Sequence, residues 1–223
     1  DISGFWLGFV RYALGDIEGA KKHLRENVEY LDRREEELTA QGKRLPNVQQ
    51  IFRDFRARDV LMFLEEYQGK PARTDFKSGI RWATARTVDL TRAKGTVMPV
   101  LFSKPGNGRC VDVLLELDEY DRAYDGISAM TLGFLPAHLE EAQVEQRVEN
   151  MLEGLARHGI QIPAGYDETP STRVFRDLHA TVGTATFMVF DSDGKVAWYL
   201  PDPRNMDRKI VKRVLDRLLK KEA

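Results

Sequence analysis

Cysteine is nearly absent from this 223-residue chain, which has one, Cys110. A single thiol cannot close an internal disulfide, and it removes every zinc site built on two or more cysteines. The four histidines (His23, His138, His158, His179) lack ligand spacing such as H-x-x-x-H, so no metal site is expected. No apolar run is long enough to span a bilayer. An excess of one charge is missing too. The net charge of −1 gives no global reason to expect nucleic acid or an anionic membrane as partner. The chain starts at Asp1 and not at methionine, as a trimmed or processed protein does. That leaves room for a signal peptide or anchor, and membrane association is expected only through such absent segments. What is present is an ordinary globular balance, 42% hydrophobic and 31% charged, so the chain can bury a core. Its length suits one large domain, or one medium domain with an appendage.

Residues 1–70 read as all-helical. Trp6, Leu7, Phe9, Val10, Ala13 and Leu14 form an apolar segment that stops at Gly15-Asp16. A second helix starts at Ile17, with Ala20, Leu24, Val28 and Leu31 at helical spacing. A third is expected from about Val48 to Tyr67, after Pro46-Asn47, carrying Val48, Ile51, Phe52, Phe55, Met62 and Phe63. Arg33-Arg-Glu-Glu-Glu37 is a charge run of the kind found on a solvated helix surface. Gln68-Gly-Lys-Pro-Ala72 breaks the pattern and marks a domain boundary at about residue 71.

From residue 79 strands alternate with helices, which argues for an α/β layer fold. Strands are expected at Ile80–Trp82, Val97–Phe102 and Ile127–Leu132. Helices are expected at Val111–Tyr124, with Val113, Leu114, Leu117, Tyr120 and Tyr124 inward, at Glu140–His158, and at Thr172–Ala180. Thr186–Phe190 and Lys195–Tyr199 flank Asp191-Ser-Asp-Gly194, where the Asp-Gly pair supplies hairpin turn chemistry. Ile210, Val211, Val214, Leu215, Leu218 and Leu219 form one face of a last helix. Val97–Phe102 has little polar interruption, so it belongs in the middle of a sheet of at least four strands. Pro99 must then lie near the strand's start, or where its nitrogen needs no partner.

Several motifs carry a family resemblance. Gly79-Ile-Arg-Trp82, Val88-Asp-Leu90 and Lys94-Gly95 precede the core strand, and Val100-Leu-Phe102 is followed eight residues later by Cys110. Gly159-Ile-Gln-Ile-Pro163 with Tyr166-Asp167, Val182-Gly-Thr-Ala-Thr-Phe187, and Phe190-Asp-Ser-Asp-Gly-Lys195 follow in order. Over residues 76–221 this resembles the thioredoxin fold of the redoxin family, in particular the TlpA-like thiol–disulfide oxidoreductases. The resemblance implies a central sheet flanked by helices, behind the helical segment 1–70. In that segment Leu7-Gly8, Gly15, Ala20 and Leu24 resemble the packing positions of one tetratricopeptide unit, with Trp6 displaced from the usual tryptophan position and no closing proline. One such unit cannot bury its own face.

The resemblance also shows what is missing. Cys110 aligns with the second cysteine of the family's C-x-x-C, and the attacking position holds Asn107. Asn107 is a good helix N-cap but cannot attack a disulfide. The family's cis-proline aligns with Ala185, after Thr184. A cis peptide before a non-proline residue costs about 2.5–4 kcal/mol, so a trans bond is expected there. Asn107, Cys110, Thr184 and Ala185 therefore outline a degenerate redox site. Lys104, Gly106, Gly108 and Arg109 form a candidate anion-binding loop, although without the order of a P-loop. Trp82 and Trp198 are expected in packing, and His179, although within reach of the site's edge, in a surface or packing role. Three functions stay open: a binding or structural module with protein partners, a single-cysteine redox enzyme acting through Cys110, and an adaptor working through its helical segment. No cofactor is implied. The resemblance points to a periplasmic or secreted location.

Overall fold

In a computed structural model of the protein, the described residues are 2–52, 56–71, 80–88, 95–103, 110–134, 139–167, 185–201, 203 and 207–220. The chain divides into two compact units: Asp1–Gln68 with Lys209–Lys221, and the segment Gly69–Arg208.

The second unit is built on a six-stranded sheet in the order β1-β4-β3-β2-β5-β6. Its strands are β1 (Ile80–Trp82), β2 (Met98–Ser103), β3 (Met130–Phe134), β4 (Ala164–Asp167), β5 (Thr186–Phe190) and β6 (Val196–Pro201). β2, β3 and β4 run parallel; β5 is antiparallel to β2 and β6, and β1 to β4. Helices α5 (Val111–Ala123) and α6 (Glu141–Arg157) are the crossovers that parallel pairing requires. Every residue of β2 is buried, and the strand lies inside the sheet, as its uninterrupted apolar run demands.

Pro99 is the second residue of β2 and is accommodated by a gap in the ladder. Val97 uses both its N–H, to Gly126 O (2.8 Å), and its carbonyl, from Ser128 N–H (3.0 Å), on the β3 side. By strand alternation Pro99 faces that side as well. There the pairing passes from Val97↔Ile127 directly to Val100↔Met130. The Ala129 N–H opposite this gap goes instead to Asp121 Oδ1 at 2.8 Å. For the same reason β3 begins at Met130, three residues after the expected Ile127, which makes only an isolated bridge.

On α5, Val113, Leu117 and Tyr120 are buried as expected, but Leu114 and Tyr124 are only half-buried. Glu116 and Asp118 are buried on it as well. α6 starts from a capping box in which Gln143 Oε1 accepts the Glu140 N–H (3.1 Å). In the β5–β6 hairpin the Asp191 carboxylate accepts from Asp193 N–H (3.1 Å) and Lys195 N–H (2.8 Å). Gly194 takes φ +75° there, which favours glycine. Trp198 is fully buried, edge-on to Phe187 at 5.9 Å, and Trp82 is half-buried on edge strand β1. The helix expected at 172–180, with His179, lies outside the described residues.

The first unit contains α1 (Ile2–Ala13), α2 (Ile17–Ala40), α3 (Asn47–Phe52), α4 (Arg58–Glu66) and the residues from 209 onward of α7 (Arg208–Lys220). Asp16 caps α2 by accepting the Gly19 N–H at 2.9 Å. Gly4 lies against Asn27 and Gly8 against Leu24, so α1 and α2 run antiparallel as a helical hairpin. Its core is Phe5, Phe9, Tyr12, Ala20, Leu24 and Leu31. Asn27, and not the expected Val28, fills the fully buried position beside Gly4.

Of the helix expected from about Val48 to Tyr67, the described parts are α3 and α4, with Arg56 and Ala57 in a wider helical turn leading into α4; residues 53–55 lie outside the described residues. Val48 and Met62 are exposed, while Val60, Phe63 and Leu64 form the inner face of α4. Leu7, a packing position by the tetratricopeptide resemblance, is exposed, as are Trp6 and Val10 on α1 and Leu14 just after it.

Candidate functional site

β2 ends at Ser103, and Cys110 is the residue before α5, so a strand precedes and a helix follows the stretch 104–109, which lies outside the described residues. Cys110 is fully buried and has φ −103° and ψ 4°, and its side chain makes no capping bond to α5. Burial of this degree is ordinary for cysteine as a small apolar side chain. A reacting thiolate needs solvent access, which Cys110 lacks.

Ala185 is buried and leads into β5, where Thr186 pairs with Phe102. The register therefore brings Ala185 alongside the end of β2. Thr186 is completely buried, and its hydroxyl has no hydrogen-bond partner among the described residues. Asn107, Thr184 and the loop residues Lys104, Gly106, Gly108 and Arg109 lie outside the described residues, and with Thr184 the geometry of the Thr184–Ala185 bond. Among the described residues there is no cis peptide bond and no cluster of three metal-ligating side chains.

Sequence reasoning missed three buried carboxylates on α5. Asp118 accepts from Gln161 N–H at 2.6 Å and pairs with Arg122 one turn on at 2.7 Å. Asp121 accepts the Ala129 N–H and pairs with Arg86. Glu116 pairs with Arg208. Burial pushes the Glu116 carboxyl up to about 6, against the pull of Arg208, and Glu119, Asp112 and Asp207 add to the rise. A signal for Glu116 existed, because it falls inside the stripe Val113, Leu117, Tyr120 at helical spacing. Asp118 and Asp121 anchor the segments leading to β4 and β3, so these charges hold the fold around the strand ends.

No protein-family model and no curated protein matches the chain. Solved structures do. A protein from Chlorobium tepidum assigned as the thiol:disulfide interchange protein DsbE superposes with a TM-score of 0.51 and 19% identity, over 68% of this chain and 97% of that one. A thiol-disulfide isomerase from Corynebacterium glutamicum gives 0.50 and 14%, over 69% and 94%. An exposed lipoprotein thioredoxin from Streptococcus pneumoniae gives 0.50 and 20%, over 63% and 98%. At such identities the likeness establishes the fold, which is thioredoxin-like. The single cysteine of this chain fits a degenerate form of it.

Proposed function

We propose that this protein is a degenerate thioredoxin-like module that binds or organises protein partners and does not exchange disulfides. The observation that carries the reading is that its only cysteine, Cys110, is fully buried. A dithiol cycle needs one thiol to attack and a second to resolve the mixed disulfide. With Asn107 in the attacking position the first half of that cycle has no reagent, and the thiol at the resolving position is buried. The burial also weighs against a single-cysteine enzyme.

The purified protein is expected to give no turnover above the uncatalysed rate in thiol-driven reduction of insulin disulfides, and Cys110→Ser the same. A thiol reagent near neutral pH should label Cys110 slowly in native protein and fully on unfolding. Turnover that disappears in Cys110→Ser, or fast native labelling, overturns the reading in favour of a single-cysteine enzyme.

A second reading, an adaptor working through the helical segment, draws on the exposed Trp6, Leu7 and Val10 of α1 and Leu14 just after it. The three on α1 share one side of a helix that packs on α2, and stacked helical repeats use such apolar surface for contact. An extracytoplasmic location accords with the exposed lipoprotein among the similar structures. Among the described residues no helix is long and apolar enough to cross a membrane.

A further inference from the structure

Glu116 differs from the other buried carboxylates of α5 in its supply of donors. Asp118 and Asp121 each receive a backbone N–H as well as an arginine. Glu116 receives only Arg208, whose Nε meets Oε1, while Oε2 is buried and takes no hydrogen bond among the described residues. Among the described residues, the other charged groups that act on it share its sign: Asp112 and Glu119 on α5, and Asp207 just before Arg208. Tyr120, one turn further along α5, donates to the Arg208 carbonyl in a long bond of 3.4 Å. Arg208 is thus held to α5 at two points, by its guanidinium and by its backbone.

We propose that Glu116 is a proton-operated clasp on Arg208. As a carboxylate it grips the guanidinium; on mild acidification it takes a proton from solvent and lets the guanidinium go, while Tyr120 keeps the Arg208 carbonyl. A buried carboxylate with one donor and three acidic neighbours is a poor anion, because desolvation and like charge both favour its neutral form. The Arg208 side chain is 66% exposed, so the released cation meets water at no desolvation cost. The rise of Glu116 to about 6 puts the change in a mildly acidic range. Tyr120, pushed up to about 12 by burial and then by Glu116, keeps its proton and its hold throughout that range.

The test is NMR on the whole chain, following the Glu116 side-chain carboxyl and the Arg208 Nε–H between about pH 3.5 and pH 7.5, a span that brackets the ordinary and the raised carboxyl ranges. Both signals should move together with one midpoint near 6. Glu116→Gln should abolish the Arg208 titration. Arg208→Ala, a change at an exposed side chain, should shift the Glu116 midpoint further upward, since it removes the one favourable charge; Arg208→Lys should restore much of it. A Glu116 midpoint in the ordinary carboxylate range overturns the clasp. So does an Arg208 signal that stays flat while Glu116 titrates, or a Glu116 midpoint unmoved by Arg208→Ala.

Discussion

Glu116 gives the protein a pH dependence whose sign follows from which state holds the proton more tightly. Its carboxyl ionises at about 6 when folded, against 4.5 as the ordinary value. Between those limits the native state keeps a proton that the unfolded chain has lost. Stability therefore falls as pH rises through that window, and the contribution is complete only below it. Asp16 acts in the opposite sense and at lower pH. The Gly19 N–H and then Arg11 hold its carboxyl below 3.8, so the stability it lends is present above that value and fades on acidification. Urea denaturation is expected to give a higher stability at about pH 5 than at pH 7, by on the order of 1 kcal/mol from Glu116. Glu116→Gln should flatten the profile in that window. An unchanged slope in the variant would assign the dependence to other groups.

At the scale of elements, the sheet shows where close approach restricts the sequence. Gly165 on β4 pairs with Trp82 on edge strand β1. A methyl group there would stand 2.9 Å from Ile80 Cγ2, 3.1 Å from the Trp82 ring and 3.2 Å from the Arg81 carbonyl oxygen. The carbonyl belongs to the paired backbone and cannot rotate away. Gly165→Ala is expected to push β1 off the sheet and cost about 1–3 kcal/mol. Amide exchange would show it as lost protection at Ile80–Trp82 with β2 and β5 unaffected; unchanged protection of β1 would show that the strand can shift at little cost. The elements legible in the sequence were those whose pattern is local: β2 from its unbroken apolar run, and the β5–β6 hairpin from Asp-Gly. Those misread depend on distant partners. The start of β3 is set by Pro99 on another strand and by Asp121 on a helix. Of the candidate site, the strand β2 and the start of α5 after Cys110 were legible from local pattern, whereas the burial of Cys110 and of the α5 carboxylates is tertiary information.

Across the whole molecule, the compact units do not follow the order of the chain. The boundaries read from the sequence, 1–70 and 76–221, are continuous, but Lys209–Lys221 groups with Asp1–Gln68. The side chain of Arg217 illustrates the grouping: its Nη1 lies 2.0 Å from where a methyl on Gly15 would stand, at the end of α1. Burial lowers the pKa of Arg217, and the nearby Tyr12 of α1 pulls it back only in part. The apolar face of α7, Val211, Val214, Leu215 and Leu218, is buried. A periodic face of this kind announces that a helix packs, but it does not name the surface it packs on. The grouping yields a prediction that either outcome decides. Leu215, 1% exposed, should cost about 2–5 kcal/mol when cut to alanine. If α7 completes the helical unit, the loss of amide protection in Leu215→Ala should spread through α1 and α2, at the far end of the sequence, and spare β2, β3 and β5. Loss concentrated instead in the sheet, with α1 and α2 unchanged, would return the last helix to the thioredoxin-like unit and restore a chain divided near residue 70.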